Sequence, residues 1–189
     1  IFVGTLNFPP NVDALKRLFT NIWPIIKKAR PSVKLMIVGR NPAQDIISLA
    51  DNTDGVSLRA NVESVFPYLR ESYIAINPVF LGAGMKNKVL EALACGTPVI
   101  ATEEAVVGIS MKNGVHGFLE NSETAIAQRA IEMLDMPIVK YEEFCRNARD
   151  LGLSYSWAAS AKKITNYLED MNCISYDADH FLKYDCKTS

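Results

Sequence analysis

Along most of the chain, short runs of consecutive apolar residues alternate with longer stretches whose apolar positions recur every three or four residues. The first run, Ile1–Val3, reads as a strand that ends in a glycine turn. Asn11 stands where a cap is expected for a helix over Val12–Ala29, and Leu15, Leu18, Phe19, Ile22 and Ile26 form one apolar stripe along it. Pro31 stops that helix, Val33–Val38 follows as the second strand, and Gly39 turns the chain into a short helix over Pro42–Leu49. Val56–Leu58 and Tyr73–Asn77 are the next strands, with a helix near Val62–Glu71 between them. The loop Pro78–Gly84 leads into a helix over Met85–Ala94, which Gly96-Thr97-Pro98 breaks before strand Val99–Ala101. Gly117–Leu119 is a late short strand, and helices are expected over Glu123–Leu134, Tyr141–Leu151 and Trp157–Glu169.

These strands are rich in Ile and Val and lack polar alternation, as befits strands covered on both faces. Their alternation with helices predicts an α/β fold, a Rossmann-like doubly wound parallel sheet of about six strands with helices on both faces. Ligands of such sheets bind beyond the carboxyl ends of the strands, where the winding direction reverses. Gly4–Pro10, Gly39–Pro42, Arg59–Val62 and Pro78–Met85 are therefore expected along one rim. The pattern holds over residues 1–169; from Asp170 it is lost, and 170–189 read as a terminal tail.

Composition narrows the classes further. Of 189 residues, 49% are hydrophobic and 22% charged, with a formal net charge of −1, as in an ordinary folded domain rather than a disordered chain. That balance supplies no electrostatic drive towards nucleic acid, and no apolar run approaches the roughly 20 residues of a membrane span. The four cysteines are too widely spaced for a zinc ribbon or a C-x-x-C redox site. Cys95 is expected in the core, and Cys173 and Cys186 are expected as thiols of a cytoplasmic protein rather than as a disulfide. Because the chain opens inside a strand and without Met, an N-terminal part is expected to precede it.

Candidate chemistry concentrates in the stretch from Pro78 to Thr102. Gly82 and Gly84 let backbone approach a ligand closely, and a helix starting near Met85 turns free amides and the positive end of its dipole to the same point, a seat for a diphosphate. Lys86 and Lys88 add positive charge in a first turn that would by itself favour acidic residues. Glu91 shares a face with Asn87 and Lys88, where it is placed to accept hydrogen bonds from ribose hydroxyls. The same spacing also allows a plain solvated Lys88–Glu91 pair.

The run G-x-G-x-K-x-K-V-L-E-A-L-A-x-G-x-P-V-I-A-T resembles the donor-binding segment of the family-4 (group 1) retaining glycosyltransferases. Phe2–Leu15, Val38–Pro42, Val62–Leu69, Ile74–Pro78 and Ser156-Trp157 resemble other parts of the same domain, in the same order. The resemblance implies that residues 1–169 are a nucleotide-sugar-binding domain, the C-terminal half of a GT-B fold. It implies that Glu91 holds the donor ribose and that the loop Gly82, Ala83, Gly84 and Met85 meets the sugar and phosphates. Gly4 and Thr5 would face the diphosphate across the cleft, and Arg59, Ala60, Asn61 and Val62 would border the base. The chain departs from the family at Ala83, where many members carry a Glu, and at Leu6–Pro10, where many carry an Arg and a Lys. Lys86, Lys88 and Arg40 are expected to replace those missing cations.

The resulting expectation is a retaining transferase acting on a UDP- or GDP-linked sugar, in polysaccharide or glycoconjugate synthesis. It would be cytoplasmic, with room for peripheral association at the inner face of the membrane. No metal or other cofactor is expected, the catalytic residues are not assignable without the acceptor domain, and the isolated domain should be inactive. Competing expectations are a non-catalytic nucleotide-binding or interaction module, favoured by Ala83, and an epimerase or phosphorylase on the same two-domain fold. His116 reads as a turn residue, Glu103 and Glu104 as solvated loop carboxylates, and Trp23 and Trp157 as packing anchors.

Overall fold

The computed structural model describes residues 1–81, 87–156, 161–162 and 164–167. Residues Ile1–Leu153 form one compact unit and Ser154–Ser189 a second. In the second, 161–162 and 164–167 are helical. The rest of the helix expected over Trp157–Glu169, the tail 170–189, Cys173 and Cys186 lie outside the described residues.

The first unit contains six parallel strands: β1 (Phe2–Thr5), β2 (Leu35–Arg40), β3 (Val56–Ala60), β4 (Ala75–Asn77), β5 (Val99–Ala101) and β6 (Gly117–Leu119). They pair as two three-stranded groups, in the orders β1-β2-β3 and β4-β5-β6. The groups meet edge to edge at β1 and β4, where Ile76 N–H donates to the Ile1 carbonyl (2.9 Å) and the Ile1 amino group to the Ile74 carbonyl (2.7 Å). The strands thus run 3-2-1-4-5-6, with the winding reversed between β1 and β4. Right-handed crossovers moving outward in opposite directions must put their helices on opposite faces.

Helix α1 (Pro9–Arg17), a π turn (Leu18–Ile22) and α2 (Trp23–Ala29) follow β1, and α3 (Gln44–Asp51) follows β2. Helices α4 (Phe66–Glu71) and α5 (Asn87–Ala94) pack together. Helix α6 (Glu123–Leu134) returns to lie on α2 and the π turn, and α7 (Ile138–Ser154) reaches the end of α5, where Gly152 leaves no room for a side chain. The expected stripe of Leu15, Leu18, Phe19, Ile22 and Ile26 is buried throughout. Trp23 is buried too, its indole N–H donating to the Asp54 carbonyl at 2.9 Å.

Several expectations are corrected. The first helix begins at Pro9 rather than Val12, because Pro9 and Pro10 suit a first turn, where the missing N–H is no loss and the fixed φ is already helical. Asn11 is therefore no cap; Phe8 occupies that position. The same helix is not continuous to Ala29, since Pro24 removes a backbone donor and crowds the carbonyl four residues earlier. The chain answers with the π turn, closed by Trp23 N–H to the Leu18 carbonyl. The helix expected over Val62–Glu71 starts only at Phe66, with Pro67 in its first turn. Cys95 is half-buried rather than a core residue.

Strands β1 and β2 pair with Gly4 opposite Gly39. A Cβ on Gly39 would lie 1.8 Å from the Gly4 carbonyl oxygen and 3.0 Å from Leu6 Cγ. Overpacking of this kind typically costs about 1–3 kcal/mol. Gly39→Ala is thus expected to lower the free energy of unfolding by that amount, read as a fall in the urea midpoint, and an unchanged midpoint would show that the two strands separate freely at this level.

Candidate functional site

A cleft of about 790 Å³ opens beyond the carboxyl ends of β1 and β2, against the flank of α5. Gly4, Thr5 and Gly39 form its floor, residues 62–66 form one wall, and Asn87, Lys88 and Glu91 form the other. Lack of side chains lets Gly4 pack against Asn11 Nδ2 and Gly39 against the Gly4 carbonyl oxygen, where a Cβ would lie 2.8 and 1.8 Å away. At the rim, Asn41 and Asn61 adopt left-handed φ values of 53° and 56°, a region short polar side chains tolerate. Asn61 Oδ1 accepts the Asn41 N–H at 2.9 Å, so the turns after β2 and β3 hold each other.

Lys88 reaches across to the first turn of α1. Its ammonium donates to Asn11 Oδ1 at 2.6 Å and lies 4.6 Å from the centre of the Phe2 ring. Asn11, only 8% exposed, donates from Nδ2 to the Thr5 carbonyl at 2.9 Å. Glu91 is left as a half-buried carboxylate, and burial alone pushes its pKa above the ordinary glutamate value. Beside the cleft, the side chain of Asn77, at the end of β4, is 5% exposed, and neither of its polar atoms has a hydrogen-bond partner among the described residues.

Of the residues expected to bind a ligand, Gly4, Thr5, Arg40, Lys88 and Glu91 all line this cleft. Gly82, Ala83, Gly84, Met85 and Lys86 lie outside the described residues. The segment expected to border a base is only partly there: Val62 lines the cleft, whereas Arg59 lines a separate apolar hollow beside Trp23 and Tyr73. Ala60 and Asn61 do not line it. Glu63, Ser64, Val65 and Phe66 take their place because the helix begins late. Phe8 and Phe66 stand at the mouth with 54% and 43% of their surface exposed.

Asn11 was hidden by its own residue type, since an Asn ahead of an amphipathic helix reads as a cap; the adjoining Pro9-Pro10 was the signal for an earlier start. His116 is a turn residue, as expected: its Nδ1 accepts the Lys112 N–H at 2.9 Å, and burial followed by nearby Lys112 lowers its pKa. Glu103 and Glu104 do not line the cleft.

The family model for Glycosyl transferases group 1 matches residues 1–136. The chain belongs to that family. It is 28% identical over 138 residues, 69% of its own length, to an uncharacterized 44.6 kDa protein in the cps region of Klebsiella pneumoniae, of which it covers 36%. The fold is similar to that of S. aureus TarM in complex with Fondaparinux, alpha-GlcNAc-glycerol and UDP, with a TM-score of 0.72 and 17% identity over 87% of this chain and 34% of that one. It is likewise similar to the pneumococcal O-GlcNAc transferase GtfA in complex with UDP and GlcNAc, at a TM-score of 0.70 and 14% identity over 90% of this chain and 35% of that one. Anabaena Alr3699/HepE in complex with UDP gives a TM-score of 0.67 and 15% identity, over 89% of this chain and 48% of that one. These likenesses establish the GT-B glycosyltransferase architecture, and the chain spans half or less of each relative's length.

In this glycosyltransferase-family chain the raised pKa of Glu91 has a consequence for stability. The folded chain holds the Glu91 proton more tightly than the unfolded chain does, so the charged form carries a folding penalty at neutral pH. That penalty fades as pH falls through the raised pKa towards the ordinary carboxylate range. Glu91→Gln is expected to raise the Tm of the ligand-free protein at neutral pH, with the gain shrinking on acidification. A Tm that drops at neutral pH would contradict this account.

Proposed function

We propose that the chain is the donor-binding, C-terminal half of a GT-B glycosyltransferase. It takes a nucleoside-diphosphate sugar, UDP- or GDP-linked, and passes the sugar to an acceptor held by the other half of a longer protein. One observation carries this reading. A fixed ammonium and a half-buried carboxylate, one helical turn apart on α5, face the same cleft where the winding reverses between β1 and β4. The Lys88 ammonium complements a diphosphate. The Glu91 carboxylate, poorly solvated, gains from hydroxyl donors such as those of a ribose.

The remaining parts take their roles from position. Gly4 and Thr5 offer main chain to the phosphates, and Arg40 adds charge at the rim. Gly82, Ala83, Gly84, Met85 and Lys86, outside the described residues, take from the sequence resemblance alone the task of meeting the sugar and the leaving phosphates. The base lies at the apolar mouth, against Phe8, Val62 and Phe66. In the reaction the bond from the anomeric carbon to the diphosphate oxygen breaks, and its electron pair leaves on the nucleotide. Lys88 and its neighbours meet the charge that develops there, side chains serving where a metal would otherwise be needed. The anomeric configuration is retained, as the sequence resemblance implies. The solved neighbours in complex with UDP support a nucleotide donor, and the cps-region relative supports a place in polysaccharide synthesis.

Calorimetric titration of the intact protein with UDP and GDP tests the reading. Binding of one of them is expected, and Glu91→Gln is expected to weaken it about ten- to hundred-fold, the size of a lost hydrogen bond to a charged group. The 189-residue chain alone is expected to transfer no sugar. If neither nucleotide binds, the family fold here serves as a non-catalytic interaction module instead.

A further inference from the structure

Asn11 lies in the first turn of α1, yet its amide is spent on neither the helix nor solvent. Nδ2 faces the Thr5 carbonyl at 2.9 Å, and only the NH₂ end of an amide can donate to a carbonyl. The orientation of the group is therefore chemically determined: Oδ1 must point the other way, and there it accepts from the Lys88 ammonium at 2.6 Å. Gly4 makes room for this arrangement, since a Cβ at that position would lie 2.8 Å from Asn11 Nδ2 and 3.3 Å from its Cγ. The Phe2 ring supports the ammonium, 4.6 Å from its centre. Three elements thus converge on a single cation: the end of β1, the first turn of α1 and the start of α5.

A lysine this early in α5 stands at the positive end of the helix dipole, where a cation is disfavoured. Left to itself, its flexible four-carbon stem would swing the charge outward into water. The buried amide oxygen holds it on the floor of the cleft. We infer that Asn11 is a positioning residue: it fixes the Lys88 ammonium where the donor's diphosphate arrives, so that the charge is already in place when the ligand binds. This inference rests on the donor-binding reading of the cleft given above. It assigns a task to a residue outside the glycine-rich segment.

The test measures how strongly the intact protein prefers a nucleoside diphosphate to the matching nucleoside, using UDP against uridine and GDP against guanosine. Asn11→Ala is expected to reduce the preference about ten-fold, the effect of one lost hydrogen bond at a charged group, while nucleoside affinity stays unchanged. Asn11→Asp keeps the size of the side chain but neutralises the ammonium and loses the donor to Thr5. It is expected to reduce the preference further at unchanged nucleoside affinity, which a purely structural role would not produce. The combined variant Asn11→Ala/Lys88→Ala is expected to be no worse than Lys88→Ala alone, because Asn11 acts only through that lysine. Fully additive losses, or an Asn11→Asp protein with undiminished preference, overturn the assignment. An unsubstituted protein that binds nucleoside and nucleoside diphosphate equally overturns the donor-binding reading itself, and this inference with it.

Discussion

A parallel sheet whose winding reverses between two neighbouring strands cannot cover that point with its own connections, because one chain leaves β1 towards one face and another leaves β4 towards the other. The cleft of this protein is that uncovered point. Its position owes nothing to the identity of the residues lining it, only to the order 3-2-1-4-5-6. What the lining residues determine is depth and charge. Paired glycines stand at the same level of β1 and β2 in its floor, and side chains from α1 and α5 then furnish it.

Charge in the cleft is arranged asymmetrically. The cation has been given partners within the protein, an amide oxygen and a ring face, and is thereby held in one place. The anion one turn along has been left half-buried with burial as the sole influence on its pKa. Both groups border the same cleft, so it presents a cation and a poorly solvated carboxylate one helical turn apart.

Much of this was legible in the order of residues. The β5 and β6 strands and α6 fall on the expected boundaries, because short Ile/Val or aromatic runs bounded by Gly-Thr-Pro, by Gly117 and by the Ser122 cap leave little choice. Glu91, Lys88, Arg40, Gly4 and Thr5 reach the cleft as expected because strand ends and helix phase are local properties. Asn11 was misread because its task depends on Thr5 and Lys88, the latter distant by 77 positions along the chain. The wall from Glu63 to Phe66 was misread because apolar periodicity continued through residues that a following proline keeps out of the helix.

The π turn at Leu18–Ile22 bears on how this architecture can vary. Such a turn takes in one residue more than an α-helix would use over the same rise, so the two flanking helices stay in phase although the chain between them is longer. Both the cleft-facing end of α1 and the Trp23 anchor at the start of α2 are thereby insulated from a change in length. A single position in this stretch can therefore be lost without rotating either end out of place.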